Sequence, residues 1–116
     1  MVSLAVGDVV LVRFPFSDLS QTKLRPAIAL AEAGKDDWIL CQVTSKPYGD
    51  KKSIELTTPS FASGSLQVIS YARPGKLFTA NYSLIVSKVG HLTDDAFKQV
   101  IEANGKRCFY SLERCA

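Results

Sequence analysis

The chain has 116 residues, a formal net charge of +3, and 47% hydrophobic against 22% charged side chains. That length supports one domain with its own core, and the composition excludes a largely disordered chain. The charge permits a nucleic-acid partner without identifying one. Three cysteines, with no Cys-x-x-Cys spacing, argue against a zinc site or a disulfide framework.

No apolar run approaches the roughly 20 residues of a membrane span. The first residues show no basic start followed by an apolar core, so no signal peptide is read and the cytoplasm is the expected location.

The first predicted strand covers residues 9–14 and is apolar on both faces, as a central strand should be. Gly7-Asp8 precedes it, Pro15 follows it, and a polar loop runs on to Lys23. A second strand is expected at residues 26–30, with Pro26 at its start because it lacks an N–H. Residues 34–37 read as a turn and residues 38–43 as a third strand, in which Cys41 is a small core residue. The alternation Ser53-Ile54-Glu55-Leu56 suits a half-exposed strand. Residues 59–64 read as a loop, residues 66–69 as a short strand and residues 83–89 as a long one. Short strands at this spacing predict a small barrel or a strongly bent sheet. One helix follows. Thr93 caps it, Asp94 and Asp95 complement its positive end, Phe97, Val100 and Ile101 form an apolar stripe, and Gly105 is placed to end it.

Several segments together resemble the MazF/PemK toxins of type II toxin–antitoxin systems. They are Gly7-Asp8-Val9-Val10-Leu11-Val12, Phe14-Pro15-Phe16-Ser17-Asp18-Leu19, Lys23-Leu24-Arg25-Pro26-Ala27, Val43-Thr44-Ser45-Lys46 and Tyr71-Ala72-Arg73-Pro74-Gly75-Lys76-Leu77-Phe78. The strand and helix between residues 83 and 104 agree as well. The resemblance implies a mainly β fold, a small SH3-like barrel of the CcdB and MazF type with one C-terminal α-helix. It also implies a homodimer whose groove takes single-stranded RNA, an acidic antitoxin that occupies the same groove, and no metal or organic cofactor.

RNA carries its own nucleophile, the 2′-OH. Cleavage then requires in-line alignment, stabilisation of charge on the phosphorane oxygens and two proton transfers. Arg25 is the candidate for charge stabilisation, since a guanidinium can clamp two phosphate oxygens, and Pro26 restricts its backbone to extended geometry. By its residue type alone, Arg25 reads more readily as an exposed strand arginine in a surface ion pair; the resemblance at this position reverses that preference. The family's catalytic threonine carries over onto Thr44, whose hydroxyl can orient the phosphate or the 2′-OH. Apart from the resemblance, it reads as a turn hydroxyl bonded to its own backbone.

Substrate-binding roles are expected for Ser17, Asp18, Lys23, Ser45, Lys46, Arg73 and Lys76, with Phe16 or Tyr71 available to stack on bases or to pack in the core or a dimer interface. Base selection is assigned to the loops at residues 14–24 and 47–52. Some family members carry an Arg and an Asp after the glycine that aligns with Gly64. Here Ser65-Leu66-Gln67-Val68-Ile69 offers neither, and no carboxylate base is identified. A two-histidine ribonuclease is excluded because His91 is the single histidine. It falls between the last expected strand and the helix cap and reads as a structural residue.

Two other readings stay open. One is a CcdB-like poison of a protein such as gyrase, although the tail lacks the tryptophan on which those relatives depend. The other is a degenerate binder of RNA or antitoxin without turnover.

Overall fold

The computed structural model describes residues 4–15, 22–45, 53–66 and 68–115. Seven strands form a single antiparallel sheet: β1 (Asp8–Pro15), β2 (Thr22–Glu32), β3 (Asp37–Thr44), β4 (Ile54–Leu56), β5 (Phe61–Gly64), β6 (Ser70–Asn81) and β7 (Ile85–Leu92). Their order across the sheet is β4-β6-β3-β2-β1-β7-β5. One helix, α1 (Asp94–Cys115), closes the chain, and short 3-10 helices lie at Thr58–Ser60 and Tyr82–Leu84.

This order forces the sheet to curl. β6 and β7 lie on either side of β3, β2 and β1, so a flat sheet would separate them by four strand spacings, about 19 Å. The link from Asn81 to Ile85 spans four residue steps and reaches at most about 14 Å. The sheet therefore bends until the two strands approach, giving a half-barrel.

Strict alternation along the inner strands sends side chains into two cores. Val9, Ile28, Leu30, Cys41, Val43, Leu56, Ala72 and Leu92 fill one, and α1 seals it with Ala96 and Val100, flanked by half-buried Phe97 and Ile101. Val10, Val12, Ala27, Ala29, Trp38, Leu40 and Ala80 fill the other, where Leu4, Phe78, Tyr82 and Ile85 pack at the margin. The doubly apolar first strand is thus central, paired with β2 on one side and β7 on the other. Each large aliphatic side chain buried in this way contributes roughly 1.5–3 kcal/mol. Thr93 caps α1 as expected: its Oγ1 accepts from the Ala96 amide at 3.2 Å.

Several boundaries differ from expectation. Pro26 lies inside β2, not at its start. The expected loop at residues 59–64 holds a 3-10 turn followed by β5, which pairs with β7. Leu66, Val68 and Ile69 belong to no strand; pairing starts at Ser70 and runs to Asn81, a strand that the Pro74-Gly75 step hides in the sequence. His91 lies within β7. Gly105 does not end α1, which continues to Cys115. Helical hydrogen bonding there outweighs a glycine cost of only about 1 kcal/mol.

Asp8 is 1% exposed at the start of β1. Its carboxylate accepts from the Ala5 amide at 2.8 Å and from His91 Nδ1 at 2.7 Å, and Lys88 Nζ lies 3.7 Å away. His91 therefore ties the N-terminal turn to β7, the structural role expected for it. We expect Asp8→Ala to strip partners from the Ala5 amide and the imidazole and to destabilise the fold by about 1–3 kcal/mol in urea denaturation; an unchanged midpoint would contradict this account.

Gly64 has φ +65, and a Cβ there would lie 2.2 Å from the Val89 carbonyl oxygen. Gly64→Ala should cost more than about 1 kcal/mol, because it combines a strained backbone with a clash between β5 and β7. Thermal melting of the variant tests this, and a melting temperature equal to that of the parent chain would refute it.

Candidate active site

The β2–β3 ladder pairs Ala29 with Leu40, Ile28 with Cys41 and Ala27 with Gln42, and goes no further in that direction. Two residues further along each strand stand Arg25 on β2 and Thr44 on β3. They occupy facing positions just beyond the last pair. The end of β3 turns to another partner instead: Val43 pairs with Ala72 and Thr44 with Tyr71 of β6. Arg25, for its part, pairs with Val12 of β1. β2 and β3 therefore part company here, each held by its outer neighbour.

A cavity of about 410 Å³ opens at this fork, lined by Leu24, Arg25 and Pro26 from β2 and by Val43, Thr44 and Ser45 at the end of β3, with Leu11, Leu66, Val68 and Ser70 completing its wall. Pro26 stands at the fork itself. It has no N–H to extend the ladder toward β3, and proline is tolerated in a strand where no partner needs that donor.

Arg25 is half-buried, Thr44 is 5% exposed and forms part of the cavity lining, and Ser45 is exposed. The lining thus combines Arg25, Thr44 and Ser45 with an apolar part. The apolar part is Leu24, Leu66 and Val68, of which Leu24 and Val68 are 49% and 60% exposed. Sequence reasoning missed this apolar wall. Leu66 and Val68 alternate as an inward strand face would, and nothing in the pattern distinguishes a cavity wall from a core. Ser70, 2% exposed, was missed as well; its hydroxyl donates to the Val68 carbonyl at 3.1 Å and fixes the segment.

Arg73 and Lys76 do not line this cavity. They belong to a bulge in β6. Cys41 pairs with Leu77 and Val43 with Ala72, so the single residue Gln42 faces Arg73, Pro74, Gly75 and Lys76. Pro74 is buried and Lys76 is exposed. Tyr71 is half-buried, opposite Thr44.

Phe16, Ser17, Asp18, Lys46, Gln67 and the loop at residues 47–52 lie outside the described residues, as do the side chains of Lys23, Cys108 and Cys115. Among the described residues, no group of three or more His, Cys, Asp or Glu side chains is placed to hold a metal ion. Among these residues, too, no helix is long and apolar enough to cross a membrane.

A curled antiparallel sheet of seven strands with one C-terminal helix defines the structural class among the described residues. Residues 5–103 match the model of the PemK-like, MazF-like toxins of type II toxin–antitoxin systems. No curated protein matches significantly in sequence. In structure, the chain is similar to MazF in a MazE–MazF crystal structure from Deinococcus radiodurans (TM-score 0.70, 18% identity, 88% of this chain and 92% of that one covered). It is also similar to Mycobacterium tuberculosis toxin MazF-mt6 (TM-score 0.66, 14% identity, 85% and 93% covered). A third similar structure is an endoribonuclease in complex with its cognate antitoxin from a mycobacterial species (TM-score 0.68, 10% identity, 91% and 93% covered). The chain belongs to the PemK/MazF toxin family.

If Pro26 holds the fork open, Pro26→Ala should allow the β2–β3 ladder to extend by a pair and narrow the cavity. The backbone N–H that this substitution creates should then be protected in hydrogen exchange. Exchange at the rate of an open amide would show that the fork persists without the proline.

Proposed function

We propose that the chain is a sequence-selective, metal-independent endoribonuclease toxin that cleaves single-stranded RNA through attack by the 2′-OH. The observation that carries this reading is the shared cavity of Arg25 and Thr44, at facing positions of two strands that have stopped pairing, in a member of this toxin family.

The chemistry follows from the side chains. With the scissile phosphate in the cavity, the Arg25 guanidinium donates to its non-bridging oxygens and offsets the charge that grows on the phosphorane. The Thr44 hydroxyl donates to a phosphate oxygen or accepts from the 2′-OH, and so limits the angle of attack. Because Thr44 is nearly buried, its rotamer is restricted by its neighbours and costs little entropy to fix. Ser45 is a further phosphate donor at the mouth. Leu24, Leu66 and Val68 give an unstacked base or ribose an apolar surface to rest on. Cleavage yields a cyclic phosphate and a free 5′-hydroxyl.

The functional unit is a homodimer acting in the cytoplasm. Its inhibitor is an acidic antitoxin segment that folds into the same cationic cleft and competes with the phosphate backbone. Two of the structurally similar proteins are solved together with an antitoxin, which supports a partner of this kind. The gyrase-poison alternative loses support, since Trp38, the one tryptophan, is buried in the second core.

Cleavage of a long transcript in EDTA tests the reading. We expect site-specific cuts with wild type, a loss of about 10²–10³ in rate with Arg25→Ala, and a loss of roughly 10–100-fold with Thr44→Val. RNA left intact by the wild-type protein, or equal cutting by all three proteins, would refute it.

A further inference from the structure

The bulge in β6 is tied to the helix through the side chain of Asn104. Asn104 on α1 is 3% exposed. Its Oδ1 accepts from the Gly75 amide at 2.8 Å, while its Nδ2 donates to the Val100 carbonyl at 2.9 Å and lies 3.8 Å from Cys41 Sγ. Cys41 Sγ in turn lies 3.5 Å from the Arg73 carbonyl oxygen, as a thiol donor to it.

The arrangement has a physical logic. Four β6 residues opposite one β3 residue leave backbone groups that the ladder does not pair. Gly75 supplies the left-handed turn, with φ +84. Pro74 has no donor to lose. The Gly75 N–H needs an acceptor, and Asn104 provides it. The Asn104 side chain cannot drift, because its amide nitrogen is fixed to its own helix through Val100.

The bulge carries two cations, half-buried Arg73, whose Nε is buried, and exposed Lys76. Arg73 and Lys76 flank the Pro74-Gly75 step, and Lys76 pairs with no carboxylate among the described residues. Tyr71, the register partner of Thr44, is two residues before Arg73 on the same strand. Arg73 therefore stands about 7 Å along β6 from the position opposite Thr44. An RNA strand with one phosphate at Arg25 and Thr44 has its neighbouring phosphates within reach of this bulge.

We propose that Asn104 is a positioning residue for substrate binding: it fixes the bulge at residues 73–76 so that Arg73 and Lys76 meet the RNA backbone. This inference rests on the endoribonuclease reading above. Asn104 touches neither the cavity nor the reacting atoms. It acts on KM through the geometry of two cations.

The test uses the full-length protein, a long single-stranded transcript for cleavage and its 2′-O-methylated form for binding. Asn104→Leu keeps the volume and removes the hydrogen bonds, with Asn104→Ala as a second variant if leucine fails to pack. We expect KM to rise roughly tenfold, the equivalent of removing one charge-assisted hydrogen bond to a phosphate, with kcat unchanged. The salt dependence of binding should become shallower by about 0.7 for each phosphate that is no longer neutralised. Asn104→Asp, which keeps the acceptor for Gly75, should restore the salt slope.

In an Arg73→Ala/Lys76→Ala background, Asn104→Leu should have no further effect on KM. In unaltered protein, the Gly75 amide should exchange more slowly when the 2′-O-methylated RNA is bound. Wild-type protein that neither binds nor cuts RNA would refute the endoribonuclease reading itself. RNA cleavage by wild type together with an unchanged KM in Asn104→Leu, a fall in kcat alone, or a Gly75 amide indifferent to RNA would overturn the role given to Asn104 and leave that reading standing.

Discussion

The register of β2 on β3 is the constraint from which the site follows. Once Ile28 faces Cys41 and Ala27 faces Gln42, the two-residue repeat of a strand leaves no freedom: Arg25 and Thr44 arrive at facing positions. That register is itself fixed by burial. Ile28 and Cys41 must enter the core under α1, while Ala29 and Leu40 must enter the opposite one. A slip of one residue would exchange these sets and move large side chains across the sheet. The apolar residues that pack the interior thus set the relative placement of two polar residues at its margin.

The same sheet explains why the cores are shaped as they are. The helix covers one face, so that face carries Ile28, Leu56 and Leu92, side chains long enough to reach Val100 in the other layer. The other face has no helix and must be filled by the sheet closing on itself. Small residues at Ala27, Ala29 and Ala80 leave room there for Trp38 and Leu40 to interdigitate. The short link from β6 to β7 and the alanine-rich concave face express one requirement, since a sheet that bends this sharply cannot carry bulky side chains on every inner strand.

Much of the fold was legible because it rests on local rules. Two-sided apolarity marked β1 as central, alternation marked the inner strands, and Thr93 with Asp94 and Asp95 marked the helix start. Arg25 and Thr44 were legible only through a resemblance. In composition, an arginine beside a proline and a threonine at a strand end are ordinary residues, and their meeting depends on a long-range register that no local pattern encodes. β6 was hidden for the converse reason. Pro74 and Gly75 are strong local signals of a turn, and here the chain obeys them within a strand by bulging, because β3 and Asn104 pair what the turn leaves over. Leu66 and Val68 carried the period of a strand without having a neighbour to pair with.

Arg25, Thr44, Ser45, Arg73 and Lys76 stand where the ladder ends or breaks. Where the central strands are buried on both faces, a charged side chain would have to leave water without compensation. Asp8 is the exception that supports the rule. It stands at the very start of β1, where it can gather an amide, an imidazole and an ammonium group around one carboxylate. Arg25 stands where β2 loses β3 as a partner, and Thr44 and Ser45 where β3 runs out. Arg73 and Lys76 stand on the bulge. Pro26 and Pro74, residues that cannot donate to a ladder, sit beside two of these interruptions. A proline that would weaken an uninterrupted sheet is accommodated at each of these interruptions, where no partner needs its donor. The two Arg-Pro pairs, Arg25-Pro26 and Arg73-Pro74, are therefore the same device used twice, once at a fork between strands and once at a bulge within one.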